Sequence, residues 1–241
     1  MALANCLASR RAVKTGFELV REGEATDSLY FLEVGWACQY TTTRDGRRQI
    51  SALLLPGDVC DLDTILFGQF DSGVQMLTAG TVMSVPHERV APLVSTFPGI
   101  ARAFTWSAFV ENAILSRNAL RLGRLSARER LSHLLCELAV RLGFRDDGGE
   151  ISFDMPLTQE HLADALGLTS IHVNRTMQQL RTEGLLASTK RTIEICDVAA
   201  LRRVGQFDPG YLHTPEPQVG AARDQRDGDR SRSTISLDGQ R

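Results

Sequence analysis

The chain has 241 residues, 43% of them apolar, with 27 Lys+Arg against 29 Asp+Glu. That length allows more than one domain, and a net charge of −2 gives no global signal for nucleic acid or an acidic partner. The five cysteines, Cys6, Cys38, Cys60, Cys136 and Cys196, form no Cys-x-x-Cys pair, which argues against a zinc site or a disulfide framework. No apolar run has the length of a membrane span and no signal-peptide core is visible, so a cytoplasmic protein with no membrane partner is expected.

Residues 15–95 read as short strands punctuated by turns. Ser28-Leu29-Tyr30-Phe31-Leu32 is one strand, with Glu22-Gly23-Glu24 before it and Glu33-Val34-Gly35 after it. Arg44-Asp45-Gly46-Arg47 reads as a hairpin turn in which Asp-Gly supplies positive φ values. Ile50 to Leu55 is a strand ended by Pro56-Gly57-Asp58, and Thr78 to Val85 another ended by Pro86. Such spacing predicts a sandwich or barrel.

After Pro98 the texture changes. Gly99 to Gly123 reads as a helix roughly 36 Å long, with Ile100, Ala103, Ser107, Val110 and Ile114 on one face. Phe104, Ala108 and Leu115 form a second line. An apolar helix joining two domains calls for a partner, and a second copy of itself is the economical one, so the first face is the expected dimerisation seam. Gly123, in Leu122-Gly123-Arg124-Leu125, is the expected hinge. A further helix starts at Leu125, with Ser126 and Glu129 at capping-box spacing, and runs to Leu142. Asp146-Asp147-Gly148-Gly149 is a turn before a strand from Glu150 to Phe153.

The most informative stretch is 157–175. Thr158 can cap a short helix carrying Leu162 and Leu166 on one face, with the small Ala163 allowing a close crossing. Gly167 suits a turn that needs positive φ. Thr169 can cap a second helix with Val173, Met177 and Leu180 buried and Ser170, Asn174, Arg175 and Gln178 outward. This is a helix-turn-helix, the geometry that lays a helix into the DNA major groove. Thr192-Ile193-Glu194-Ile195 alternates like a strand after a basic tip at Lys190 and Arg191, which makes the motif winged and places two cations for phosphate contacts. Residues 124–205 carry 11 Lys+Arg against 11 Asp+Glu, so any basic surface comes from placement. From about Gln206 the periodicity ends, and 206–241 reads as a structureless tail.

A turn-rich β domain, a long helix and a winged helix-turn-helix, in that order, resemble the Crp/Fnr family of bacterial transcription regulators over residues 15–200. Gly167, Val173, Asn174, Arg175, Leu180 and Gly184-Leu185-Leu186 carry the most specific part of the resemblance; Gly23, Tyr30-Phe31-Leu32, Gly35 and Pro56-Gly57-Asp58 carry the rest. It implies an α+β chain: a double-stranded β-helix (jelly-roll-like) effector domain over 1–97, a dimerisation helix over 98–123 and a winged helix-turn-helix over 124–205. It also implies a homodimer on palindromic double-stranded DNA and contact with RNA polymerase. Within it, Arg175 matches the base-reading arginine, suited to guanine O6 and N7. Asn174 would meet an adenine edge or a phosphate, and Ser170 and His172 stand at the helix start. Thr158, Thr169, Gln178, Lys190 and Arg191 complete the expected DNA-binding set. Where family members commonly carry a Glu that accepts from cytosine N4, this chain has Ile171, which suits a thymine methyl.

Cyclic-nucleotide-binding members need an Arg for the cyclic phosphate, yet no Lys or Arg occurs between Gln49 and Glu88, while Asp61, Asp63 and Asp71 do. Cyclic AMP and cyclic GMP are therefore not expected ligands. An iron–sulfur cluster needs several N-terminal cysteines, and only Cys6 is present. His87 is a lone histidine, poor evidence for haem. No cofactor and no metal site is expected, and no catalytic constellation is recognisable. Cys196, beside the wing strand, is the candidate redox thiol. The competing function is a signal-sensing module whose winged helix binds protein.

Overall fold

The computed structural model describes residues 9–67, 71–144, 150–188 and 191–213. Lys190, Cys6, the Asp146–Gly149 turn and residues 214–241 lie outside that set.

The N-terminal part contains β1 (Ser9–Val13), β2 (Glu18–Val20), β3 (Ser28–Val34), β4 (Ala37–Thr42), β5 (Arg48–Leu54), α1 (Thr64–Phe67), β6 (Gly73–Met76) and β7 (Gly80–Pro86). They form a three-stranded sheet, β1-β7-β3, and a four-stranded one, β2-β6-β4-β5, with every pair antiparallel. Val13, Val20, Leu32, Leu54, Val74, Met76 and Val82 from the two sheets make one apolar core. At the β3–β4 corner Gly35 has φ +99°, and a Cβ there would stand 2.8 Å from Thr78 Oγ1, so both conformation and space demand glycine. In the β4–β5 turn only Gly46 has positive φ, at +83°; Asp45 does not share it. A five-residue loop closed by Thr43 N–H to the Arg47 carbonyl (2.9 Å) replaces the tighter turn read from Asp-Gly.

Two helices follow, α2 (His87–Thr96) and α3 (Pro98–Arg124). α3 has 27 residues and runs unbroken through Gly123. The break falls at Leu125–Ser126, where Ser126 (ψ 163°) accepts from Glu129 N–H and Glu129 accepts from Ser126 N–H. The cap of the next helix, not the flexibility of Gly123, thus sets the bend. Ile100 is buried with Leu29, Val85, Val90 and Leu93 of its own β domain, and Ile114 against the C-terminal core. Ser107 and Val110 are half-buried and Ala103 is exposed. The stripe expected to meet a second copy is therefore the one α3 turns toward its own chain. Trp106, Ala108, Phe109, Leu115 and Leu120 are exposed instead.

The C-terminal part holds α4 (Ala127–Arg141), β8 (Ile151–Asp154), α5 (Gln159–Leu166), α6 (Ser170–Thr182), β9 (Leu186–Ser188), β10 (Thr192–Ile195) and α7 (Val198–Gly205). The small sheet has order β8-β10-β9, all antiparallel. α4 is buried on every face from Leu131 to Ala139. A helix apolar on one side would leave the other wet; this one is enclosed because Leu131, Leu134, Leu135 and Leu138 share one core with Leu166, Val173, Leu180 and Leu201, and also with Trp36, Leu53 and Leu77 of the β domain.

The structure continues past Gly205. Pro209–Leu212 is a 3-10 turn, and Phe207, Tyr211 and Leu212 are buried in the C-terminal core. Residues 206–213 thus do not belong to a structureless tail: three large side chains reach back to α3 and α4 from a turn that looks polar in sequence.

The reassigned faces of α3 have separate consequences. Ile114→Ala should cost about 3 kcal/mol in urea unfolding, as for any enclosed isoleucine. Phe109→Ala, on the exposed face, should cost under about 0.5 kcal/mol in dilute protein. The reverse order would mean that α3 is turned the other way.

Candidate nucleic-acid interface

α5 and α6 are set by their caps. Thr158 Oγ1 accepts from His161 N–H at 3.1 Å, and His161 Nδ1 accepts from Thr158 N–H at 3.3 Å, a reciprocal cap with histidine in the usual Glu/Gln place. That bond needs Nδ1 unprotonated, and burial together with the Arg48 charge lowers the His161 pKa. Gly167 ends α5 at φ 60°, ψ 42°, in the left-handed region. Thr169 Oγ1 then accepts from His172 N–H at 3.3 Å and opens α6.

The inner side of α6 buries Val173, Thr176, Met177 and Leu180. Outward stand Ile171 (74% exposed), His172, Asn174, Arg175 and Gln178, with Ser170 half-buried. Ser170, Ile171, Asn174, Arg175 and Gln178 line one open groove, and Gln159, at the first position of α5, closes its side. Gln159 did not stand out in the sequence; its signal was its place directly after the cap of the buttressing helix. Thr158 and Thr169 are exposed, with their hydroxyls engaged as caps. Arg191 is exposed at the start of the second wing strand, and it lines a cleft with Gln159, Asn174, Arg181 and Thr192. Arg128 is committed elsewhere: it forks onto the Glu183 carboxylate, which holds the Glu183 pKa down.

Behind this face the unit is tied to the β domain. Arg48 Nε donates to Asp164 Oδ2 of α5 at 2.8 Å, and the Arg48 guanidinium also reaches Gln75 Oε1 and the Tyr40 ring. Arg141 of α4 donates to Asp58 Oδ2 at 2.7 Å and to the Leu53 carbonyl at 2.9 Å. The Asp58 carboxylate also accepts from Leu55 N–H, so the Pro56-Gly57-Asp58 turn is itself a docking point for α4. The Asp164 carboxylate is thereby matched by a cation, a charge balance that simple counting along the chain does not show.

Between α1, α2 and α3 lies a cavity of about 680 Å³. Its lining is mostly apolar (Leu62, Ile65, Phe104), and its ionisable members are Asp63 and Glu111. Burial raises the pKa of both, and each also feels other carboxylates. Nearby, Asp61 is almost fully buried; one oxygen accepts from Tyr30 N–H at 2.8 Å and the other has no partner. Burial pushes its pKa up to about 7.

Three of the four described thiols are core groups. Cys38, Cys60 and Cys136 are buried. Cys196 is half-buried, and burial with Glu194 and Glu150 raises its pKa, the opposite of what a reactive thiolate needs. His87 Nε2 lies 3.1 Å from Thr64 Oγ1, a structural contact. Among the described residues, no His, Cys, Asp and Glu side chains cluster as a metal site would require. No described helix is long and apolar enough to cross a membrane.

Comparison with known proteins gives this geometry its context. Residues 129–204 match the model of the Crp-like helix-turn-helix domain, and residues 10–97 that of the cyclic nucleotide-binding domain. The chain is 31% identical to the transcriptional activator protein FnrL of Cereibacter sphaeroides over 198 residues, 79% of this chain and 78% of that one. It is 26% identical to the fumarate and nitrate reduction regulatory protein of Shigella dysenteriae over 202 residues, 84% of this chain and 80% of the other. The structure of FixK2 from Bradyrhizobium japonicum superposes with a TM-score of 0.71 at 26% identity, covering 82% of this chain and 97% of that one. A two-sheet β domain, a long helix and a capped, winged helix-turn-helix with its polar face outward thus place the chain in the Crp/Fnr family of DNA-binding transcription regulators.

Proposed function

We propose that the chain acts as a homodimer on a palindromic site in duplex DNA, with one α6 read into the major groove of each half-site. The observation that carries this is the exposed row Ile171, Asn174, Arg175 and Gln178 on a helix whose opposite side is fully packed. Arg175 is the guanine reader, Asn174 pairs with an adenine edge or a phosphate, and Ile171 lies against a thymine methyl. Ser170 and His172 stand at the N-terminal end of α6, with Gln159 and Arg191 flanking on the phosphates. The family resemblance also implies contact with RNA polymerase.

The pairing surface is the exposed line of α3. Ala108, Phe109, Leu115 and Leu120 take the role assigned to Ile100 and Ile114 from sequence, because those two isoleucines are spent inside the chain. A second α3 covering this line also closes the cavity beside it, since Ala108 and Leu115 line both. That links an occupant of the β domain to the register of the two reading helices.

Alanine at Arg175 or Asn174 should each weaken binding to the selected operator by about 10- to 100-fold, the worth of one good base contact. Hydroxyl-radical footprints of the wild-type chain should show two half-sites about one helical turn apart. Unaltered occupancy in the double variant, or a single unrepeated half-site, contradicts the reading; a folded variant that loses a protein partner instead favours the protein-binding alternative.

The effector is not a cyclic nucleotide. Its phosphate would enter a cavity whose ionisable lining is Asp63 and Glu111, with no arginine to meet it. Calorimetry with cyclic AMP and cyclic GMP should give no saturable heat up to millimolar ligand, and a micromolar Kd would overturn this assignment.

A further inference from the structure

Residues 206–213 lie beyond the stretch that matches the helix-turn-helix family model, which ends at 204, yet Phe207, Tyr211 and Leu212 among them are buried. Their anchors come from both sides of the Leu125–Ser126 break. From α3, the Arg117 guanidinium lies over the Tyr211 ring at 5.2 Å. From α4, Glu137 Oε2 accepts from the Tyr211 hydroxyl at 2.8 Å, and His133 Nε2 lies 3.2 Å from the Tyr211 hydroxyl oxygen. His133 Nδ1 faces the Gly205 carbonyl at 2.9 Å, and the His133 ring meets Phe207 edge-on. Glu129, in the cap at the break, accepts from Gln206 Nε2 at 3.0 Å. Leu212 completes a cleft with Leu53 of β5, Val110 and Ile114 of α3 and Arg141 of α4.

Within the same junction is a buried charge pair. Arg121 of α3 is 2% exposed, and its Nη1 lies 3.9 Å from Glu137 Oε2, the oxygen that Tyr211 also binds. Apolar surfaces tolerate sliding; the Tyr211 hydroxyl held between Glu137 and His133 in this desolvated site does not, because small rotations break buried hydrogen bonds that water cannot replace. We propose that residues 206–213 are a positioning strap: Tyr211 and Leu212 fix the angle between α3 and α4, and so the separation of the two reading helices in the dimer. This rests on the DNA-reading dimer proposed above. A loosened junction lets each α6 drift by a base-pair rise, about 3.4 Å, and meet the wrong edges.

The strap makes two separable predictions for the full-length chain. Hydrogen exchange of amides 119–128 should rise at least about tenfold in Tyr211→Ala/Leu212→Ala, while 131–138 and the β domain stay protected. On the 30-base-pair duplex that the wild type selects from random DNA, inserting one base pair between half-sites should weaken the wild type roughly 100-fold and the variant less than about tenfold. Loss of spacing selectivity is a readout that a merely stabilising segment would not move. Tyr211→Phe keeps the ring and loses the Glu137 bond; it should loosen the same amides to a smaller degree, and it stands in if the double variant does not fold. Unchanged exchange at 119–128 in a folded variant, exchange rising evenly along α4, or unchanged spacing selectivity overturns the strap. If the wild type selects no duplex, the DNA-reading proposal falls, while the exchange of 119–128 still decides whether the strap holds the junction.

Discussion

Everything in this structure depends on α4 being enclosed. Its leucines share one core with the winged helix-turn-helix and with Trp36, Leu53 and Leu77 of the β domain. Four fully buried leucines supply on the order of 8 kcal/mol by transfer alone, and α4 packs chiefly on α7 and α6 of its own half. The reading helix is therefore not carried on a loose arm. Its back is bolted to α4 and α5, and α5 is held to β5 through Arg48 and Asp164.

This arrangement places chemistry where it can be used. The polar residues of α6 face away from the shared core, whereas Arg141 pairs with Asp58 and Arg121 with Glu137 beside it, and Arg128 pairs with Glu183 nearer the surface. A domain with balanced charge can still present a usable face, because its carboxylates Asp164 and Glu183 are matched internally and Arg175 is left outward. Such a surface depends on base contacts and on symmetry more than on bulk attraction to phosphate. The β domain beside it has a cavity of the opposite character, mostly apolar with Asp63 and Glu111 as its ionisable lining.

What could be read from the sequence was local. Thr158, Gly167 and Thr169 act through neighbours within three residues, and Ser126 with Glu129 does too, so caps and turn were visible as spacing. The alternation of the wing strands and the length of α3 follow the same logic. What was not visible was long-range. Both sides of α3 carry apolar residues at helical spacing, and nothing in periodicity distinguishes the side that packs on β3, β7 and α2 from the side left open; periodicity alone points Ile100 and Ile114 toward a partner as readily as toward their own chain. Phe207, Tyr211 and Leu212 sit among Asp208, Pro209 and Gly210, where turn chemistry hides three buried side chains. The pairs Arg48–Asp164 and Arg141–Asp58 join residues 116 and 83 positions apart, beyond any local pattern.

The central claim, that the outward side of α6 lies against base edges, is tested most directly by placing a photo-crosslinking amino acid at Ile171 in the full-length chain and irradiating it on the selected duplex. The account predicts adducts to bases at two symmetry-related positions about one helical turn apart, and none when the same amino acid replaces Leu120 on α3. Adducts confined to protein, or bases labelled equally well from Leu120, would contradict it.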